Sequence, residues 1–294
     1  MRIKVPASTS NLGPGFDCVG GALGIGLELA FREGESSWTY RHAGLGPQHD
    51  PPDASLVLSA AARVLGETPS VEIEMSSEIP MGCGLGSSAS AIAAGLLLGC
   101  ALANKEPDPH ELLRLGTPLE GHADNLAPSL FGGITLVLPE FDGIDVLRFE
   151  PDPSVVPVLL LPKISLSTSE ARRALPDQVD RLDAVKNIAR SSGLVALLSG
   201  TTPPTTALLH ECTADLLHQP YRAPLMPDTA AAIERLRAAG VPAAVSGAGP
   251  SIVCLLVRGE EDEPRARFAE LHGWSVLDVG WDLRGARIEV GASG

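Results

Sequence analysis

The segment Pro80-Met81-Gly82-Cys83-Gly84-Leu85-Gly86-Ser87-Ser88-Ala89-Ser90 restricts this chain more than any other. It follows a strand-like run, Val71–Met75, and opens into an alanine- and leucine-rich stretch that reads as a helix over Ala89–Ala103. Three glycines at alternate positions let backbone N–H groups approach a bulky anion without side-chain interference. The helix start adds unpaired N–H donors and about half a positive charge. Two serines at the helix entry can cap it, bind phosphate oxygens or reach a metal; a plain tight turn with serine capping is the alternative. No Gly-Lys-Ser/Thr follows, and serines stand where a dinucleotide fingerprint would place its third glycine. Without a loop lysine, a bound triphosphate calls for the helix start and for Mg²⁺, which needs a carboxylate from elsewhere.

Around this unit the chain alternates strands and helices without a strict βαβ rhythm, which suggests an α+β fold in two lobes. Strands are expected at Arg2–Val5, Leu23–Phe31, Trp38–His42 and Gly133–Leu138, with a loop from Ala7 to Gly15. Helices are expected at Leu56–Leu65 and Pro109–Leu119, the latter capped by Asp108 and ended or kinked by Thr117, because Pro118 disfavours helical geometry in the residue before it. The Pro-, Asp- and Gly-rich stretch Glu140–Pro153 marks the expected boundary, giving domains 1–150 and 151–294. Beyond it come a strand at Val155–Leu161, helices at Val179–Ser199 and after Thr205 and Asp228, and a strand–turn–strand over Ala243–Val257. A helix at Pro264–His272 and strands at Ser275–Val279 and Arg287–Val290 complete the expected elements.

Composition narrows the classes. At 294 residues the chain can bury a core without staples. Its net charge of −14 argues against a nucleic-acid partner or an anionic membrane surface. Five scattered cysteines with no CxxC pair suit a reduced, cytoplasmic protein. The amino terminus runs straight into a strand with no signal-peptide core, and the longest apolar run, Ala91–Ala103, is too short to span a bilayer.

Four ordered motifs give the chain a family resemblance. Pro80–Ala89 is similar to the PxxxGLGSSA motif of the GHMP small-molecule kinases, and Ser246-Gly247-Ala248-Gly249-Pro250-Ser251 to their third glycine motif. Val5–Asp17 and Glu120–Pro128 resemble the PAxxxNLGxGFD and EGHxDNxAP segments of the branch acting on L-homoserine. The resemblance implies a two-lobed GHMP kinase fold, with a ribosomal S5 domain 2-like N-terminal lobe and a ferredoxin-like C-terminal lobe. It also implies phosphorylation of the L-homoserine hydroxyl by ATP, in threonine biosynthesis.

By the same resemblance, Pro80–Ser90 binds ATP, and Ser87 and Glu120 hold Mg²⁺. Asn11, Asp17, His122, Asn125 and Gly247 line the amino-acid site, with Asp17 facing the ammonium. Asn125 stands where sister kinases carry an aspartate base. Ser167–Arg172 and Gln219–Arg222 resemble segments whose arginines, Arg172 and Arg222, grip the carboxylate. Ser55 replaces an asparagine common near the nucleotide base. The implied partners are small molecules, with a homodimer among the open assemblies. Independent chemistry agrees: a zwitterion needs an anion for its ammonium and guanidinium forks for its carboxylate. Mevalonate lacks the amine and galactose lacks both charges. Asp124 stays open as a rival base, another GHMP acceptor alcohol as a rival substrate, and a catalytically idle metabolite-binding relative as a rival class.

Overall fold

The structure, a computed structural model, describes residues 1–44, 54–140 and 143–289. One sheet gathers β1 (Arg2–Asn11), β2 (Gly15–Glu33), β3 (Ser37–His42), β4 (Val71–Ser77), β5 (Ile134–Glu140) and β6 (Gly143–Phe149). A second, four-stranded sheet is built from β7 (Val155–Leu161), β8 (Ala243–Val245), β9 (Ile252–Val257) and β10 (Ser275–Asp278), in the order β10-β7-β9-β8. The last strand, β11 (Arg287–Glu289), returns to the first sheet and pairs antiparallel with β1. The two sheets therefore part between Phe149 and Val155, but the chain's end crosses back over that line.

Helices α1 (Ala54–Leu65), α2 (Ser87–Leu102), α3 (Pro109–Glu120) and α4 (Leu126–Phe131) belong to the first lobe. Every residue from Ala89 to Cys100 of α2 is buried. This all-round apolar helix is the central post of the core, as an unstriped apolar helix must be. The second half adds α5 (Thr168–Arg173), α6 (Arg181–Leu198), α7 (Thr206–Cys212), α8 (Gln219–Arg222), α9 (Pro227–Ala238) and α10 (Asp262–Phe268). One apolar cluster joins α2 to β1, β2, β7, β9 and α6, and a smaller one lies where α9 and α10 pack on the second sheet. No helix among the described residues is long and apolar enough to cross a membrane.

Three expectations need correction. The loop expected over Ala7–Gly15 is strand as far as Asn11, paired with β2 up to Asn11↔Gly15. Its polar residues look like loop because they are buried for hydrogen bonding: Ser8 donates to Asn125 and Thr9 accepts from Ser246. Helix α3 does not end at Thr117 but runs through Pro118 to Glu120 and stops at Gly121, whose φ of 89° is left-handed. The proline sits in the last turn, where one missing N–H costs a single bond, and Thr117 Oγ1 donates to the Leu113 carbonyl at 2.7 Å. The soft stretch Glu140–Pro153 contains β6, which forms a hairpin with β5. Asp53, residues 141–142 and Val290 lie outside the described residues. Asp108 caps α3 as expected, accepting from His110 N at 3.0 Å.

Candidate active site

One cavity of about 290 Å³ opens between the lobes, walled by Pro80–Ser88 on one side and by Asn11, Asp17, Arg172, Arg222 and Ala248 on another. Glu120, His122, Asp124 and Asn125 lie between them.

At the loop end, Gly82, Gly84 and Gly86 all have positive φ (64°, 73° and 67°). Their missing side chains face protein rather than the cavity. A Cβ on Gly84 would stand 2.1 Å from the Ser246 carbonyl oxygen, and one on Gly86 2.1 Å from Ser8 Oγ. The glycines thus let the loop lie between β1 and the 246–249 turn, a tighter reason than clearance for an anion. Gly86 is the residue before α2, and no side chain caps the helix there. The α2 amino terminus therefore faces the cavity uncapped, and its partial positive charge is available to an anion.

Beside it, Ser88 Oγ donates to Glu120 Oε2 at 2.6 Å. Burial raises the Glu120 pKa, against the opposing pull of Ser88 and His122. Its carboxylate is short of solvation, which a cation would relieve. His122 Nδ1 lies 2.6 Å from Asp124 Oδ1, and Nε2 is 4.0 Å from Glu120. Burial works to lower the His122 pKa, but Asp124 and Glu120 outweigh it and the pKa is raised. Burial likewise pushes Asp124 up, yet the bond and charge of His122, with Ser10 and Arg172, hold it below the ordinary carboxylate range. Asn125 is held on both faces: its amide donates to Ser10 Oγ at 2.9 Å and its oxygen accepts from Ser8 Oγ at 3.0 Å.

At the opposite end the Arg172 guanidinium donates to both Asp17 carboxylate oxygens, at 3.0 and 2.9 Å. This paired geometry is the strong form of a guanidinium–carboxylate contact. Asp17 lies at the start of β2, just past the turn from β1, and around that turn Asn11, Leu12 and Asp17 all take positive φ (68°, 46° and 56°). Such strain concentrates at binding sites because the surroundings must enforce it. Asn11 does part of that work, donating to the Gly247 carbonyl at 2.8 Å and accepting from Asp17 N at 3.0 Å. Arg222 is buried, at 2% exposure. It donates to the carbonyls of Ala171 and Gly247, and its guanidinium carbon lies 5.3 Å from the Phe16 ring centre. Burial lowers its pKa despite the nearby Asp17.

Comparison with known proteins gives the family. The model described as the GHMP kinases N-terminal domain matches residues 55–133, and that of the GHMP kinases C-terminal domain matches 206–271. A homoserine kinase of Streptomyces avermitilis is 40% identical, with the match covering 98% of this chain and 95% of the relative. The chain belongs to the homoserine kinase family of GHMP kinases. A homoserine kinase of Streptomyces coelicolor is 39% identical over 98% of this chain and 94% of its own length. A solved homoserine kinase from Cytophaga hutchinsonii superposes with a TM-score of 0.78 at 28% identity, covering 98% of this chain and 96% of that one. The phosphomevalonate kinase of Streptococcus pneumoniae, solved with phosphomevalonate and AMPPNP, shares the fold (TM-score 0.72, 14% identity, 96% and 99% coverage).

In this GHMP kinase the expected residues Asn11, Asp17, Pro80–Ser88, Glu120, His122, Asn125, Arg172 and Arg222 come together around one cavity. Ala89 and Ser90, expected with the ATP loop, do not. Both are fully buried, and Ser90 Oγ donates to the Pro6 and Gly86 carbonyls. Gly247 does not line the cavity; its carbonyl braces Asn11 and Arg222 from behind. The hydroxyl touching Glu120 is Ser88, with the half-buried Ser87 beside it. Ser55 lies in the first turn of α1, next to Leu56, which lines the cavity. Sequence reasoning gave no role to Ser8, Ser10, Phe16 or His218. Phe16 stood inside a recognised motif, and the alternation of Ser8 and Ser10 along a strand was the available signal for the other pair.

Proposed function

We propose that this protein transfers the γ-phosphoryl group of ATP to the side-chain hydroxyl of L-homoserine, giving O-phospho-L-homoserine and ADP, a step of threonine biosynthesis. The observation that carries this reading is the single cavity with an uncapped helix start at one end and an opposite-charge pair at the other. It occurs in a chain 40% identical to a homoserine kinase. ATP enters with its β- and γ-phosphates against Gly82–Gly86 and the start of α2.

The residues present fit Mg²⁺. They offer the hard oxygen donors that Mg²⁺ takes: Glu120, with Ser87 and Ser88, would hold the ion beside the phosphates. When bound, the ion neutralises charge on the phosphates. Glu120 and the serines then keep the γ-phosphate in register with the acceptor. Asp17 meets the substrate ammonium, and Arg172 and Arg222 meet its carboxylate, which aims the hydroxyl at the phosphorus.

Phosphoryl transfer goes through a loose transition state, so this positioning carries most of the rate enhancement. Asp124 is a weak proton acceptor, being held ionised by His122, and the Asn125 amide is committed to Ser8 and Ser10. The hydroxyl proton therefore leaves to a phosphate oxygen or to water. ADP release with ATP and Mg²⁺ tests the reading across L-homoserine, D-homoserine, L-serine, L-threonine and mevalonate. Turnover confined to L-homoserine is expected. Turnover with mevalonate instead would discard the roles of Asp17, Arg172 and Arg222.

A further inference from the structure

His218 does not itself line the cavity, yet it is fully buried directly behind the amino-acid end, against the lining residue Arg222. Its Nε2 lies 2.7 Å from the Gly13 carbonyl oxygen, and its Nδ1 lies 3.2 Å from Arg222 Nη1. These contacts decide its state, together with Asp215 Oδ2, a second acceptor 3.4 Å from Nε2. A carbonyl only accepts, so Nε2 carries the proton; a guanidinium only donates, so Nδ1 is a bare lone pair. The ring is therefore the neutral Nε2–H tautomer. Phe16 stacks on it, with ring centres 5.2 Å apart and planes 26° apart, and the guanidinium carbons of Arg222 and Arg172 lie 5.3 and 6.0 Å from the centre of that phenyl. Asp215 secures the backbone beneath: its carboxylate accepts from the N–H groups of Leu217, His218 and Gln219.

From this we propose that His218 is a positioning residue for the amino-acid substrate: one neutral imidazole fixes both the strained Asn11–Asp17 turn, through Gly13, and the Arg222 guanidinium, through Nδ1. The inference rests on the homoserine reading of the cavity, since it gives a purpose to the residues that ring holds. Its chemistry is asymmetric. The turn and Arg222 come from opposite halves of the chain; the Gly247 carbonyl links them through Asn11, and the ring links them a second time through Gly13. Proton gain at Nδ1 would set a donor against a donor and a cation against Arg222. Burial, reinforced by Arg222, lowers the His218 pKa against the opposing influence of Asp215, the Gly13 carbonyl and Asp17.

Two measurements test this. In steady-state kinetics, His218→Leu should raise KM for L-homoserine by about tenfold or more, the loss expected when hydrogen bonds to a charged group go. KM for ATP should change by less than about twofold. His218→Asn places an amide oxygen near the lost Nδ1 and should recover a clear part of the homoserine KM. Equal rises in both KM values, or an Asn variant no better than Leu, would overturn the proposal. The second measurement needs neither activity nor a variant that folds. Ring ¹⁵N shifts of His218 in the wild-type protein at pH 7 should report a protonated Nε2 and a bare Nδ1. An Nδ1–H tautomer or an imidazolium would overturn the proposal even if L-homoserine is turned over. Conversely, wild-type protein silent toward L-homoserine would defeat the functional reading, with the tautomer still measured on its own.

Discussion

At the end proposed for phosphate the cavity is walled by one unbroken segment, Pro80–Ser88, while the end proposed for the amino acid is assembled from separate parts of the chain: Asn11, Asp17, Thr168, Arg172, Arg222 and Ala248. The first end works through backbone and a helix start, and its side chains are mostly absent or turned away. At the second, charged side chains satisfy one another, Asp17 with Arg172, and in the proposed function a ligand replaces each of them. A backbone site fails when its packing fails, so substitutions there strike fold and all activity together. A charge site fails selectively, for one substrate and in proportion to the charge removed.

The largest effect expected from breaking this contrast is at Gly84. An alanine there would meet the Ser246 carbonyl at 2.1 Å in a left-handed conformation. Overpacking and backbone strain together should cost about 3 kcal/mol or more. That is a fall in Tm of about 5 °C or more by calorimetry, with turnover lost for every acceptor. Next comes Glu120→Gln, which should weaken the apparent Mg²⁺ affinity by about tenfold or more in a titration of initial rate, leaving KM for L-homoserine near its starting value. Asp17→Asn should raise KM for L-homoserine by about tenfold or more with little change for ATP. Equal changes in the two would remove the division between the ends.

The smallest effect is on pH dependence. His218 is held neutral in the fold, so the unfolded chain binds the extra proton first. Its contribution to stability is fully present above about pH 6.5, the ordinary histidine value, and is lost as pH falls from there toward the lower folded-state value. Replacing it by asparagine should flatten the Tm profile on the acid side of that point; an unchanged profile would contradict the assigned state. Asp215, Arg222 and Asp17 are the charged groups acting on this ring, and they are retained in both proteins.

The same contrast explains what was legible in the sequence. The glycine loop and α2 could be read because a local segment carries both the conformation and the chemistry. Asp17, Glu120, His122 and Arg172 were reachable through motifs, but not their pairing, since Asp17 meets Arg172 across 155 positions of chain. Strand β1 was read too short because Ser8, Thr9 and Ser10 are polar for reasons that exist only once Asn125 and Ser246 pack against them. Helices α5 and α8, of 6 and 4 residues, are too short for periodicity to register, yet they deliver both arginines. His218 carried no local signal at all: its meaning lies in reaching Gly13, 205 positions away.

The central claim is that the amino-acid end accepts a ligand only when both of its charges replace the Asp17–Arg172 pair. The most direct measurement compares kcat/KM for L-homoserine with that for 4-hydroxybutanoate, which lacks the amine, and 3-aminopropan-1-ol, which lacks the carboxylate. The account predicts efficient phosphorylation of L-homoserine and losses of about a hundredfold or more for either analogue, since each leaves one member of the pair unmatched. Comparable kcat/KM for 4-hydroxybutanoate would show that Asp17 reads no ammonium, and would contradict it.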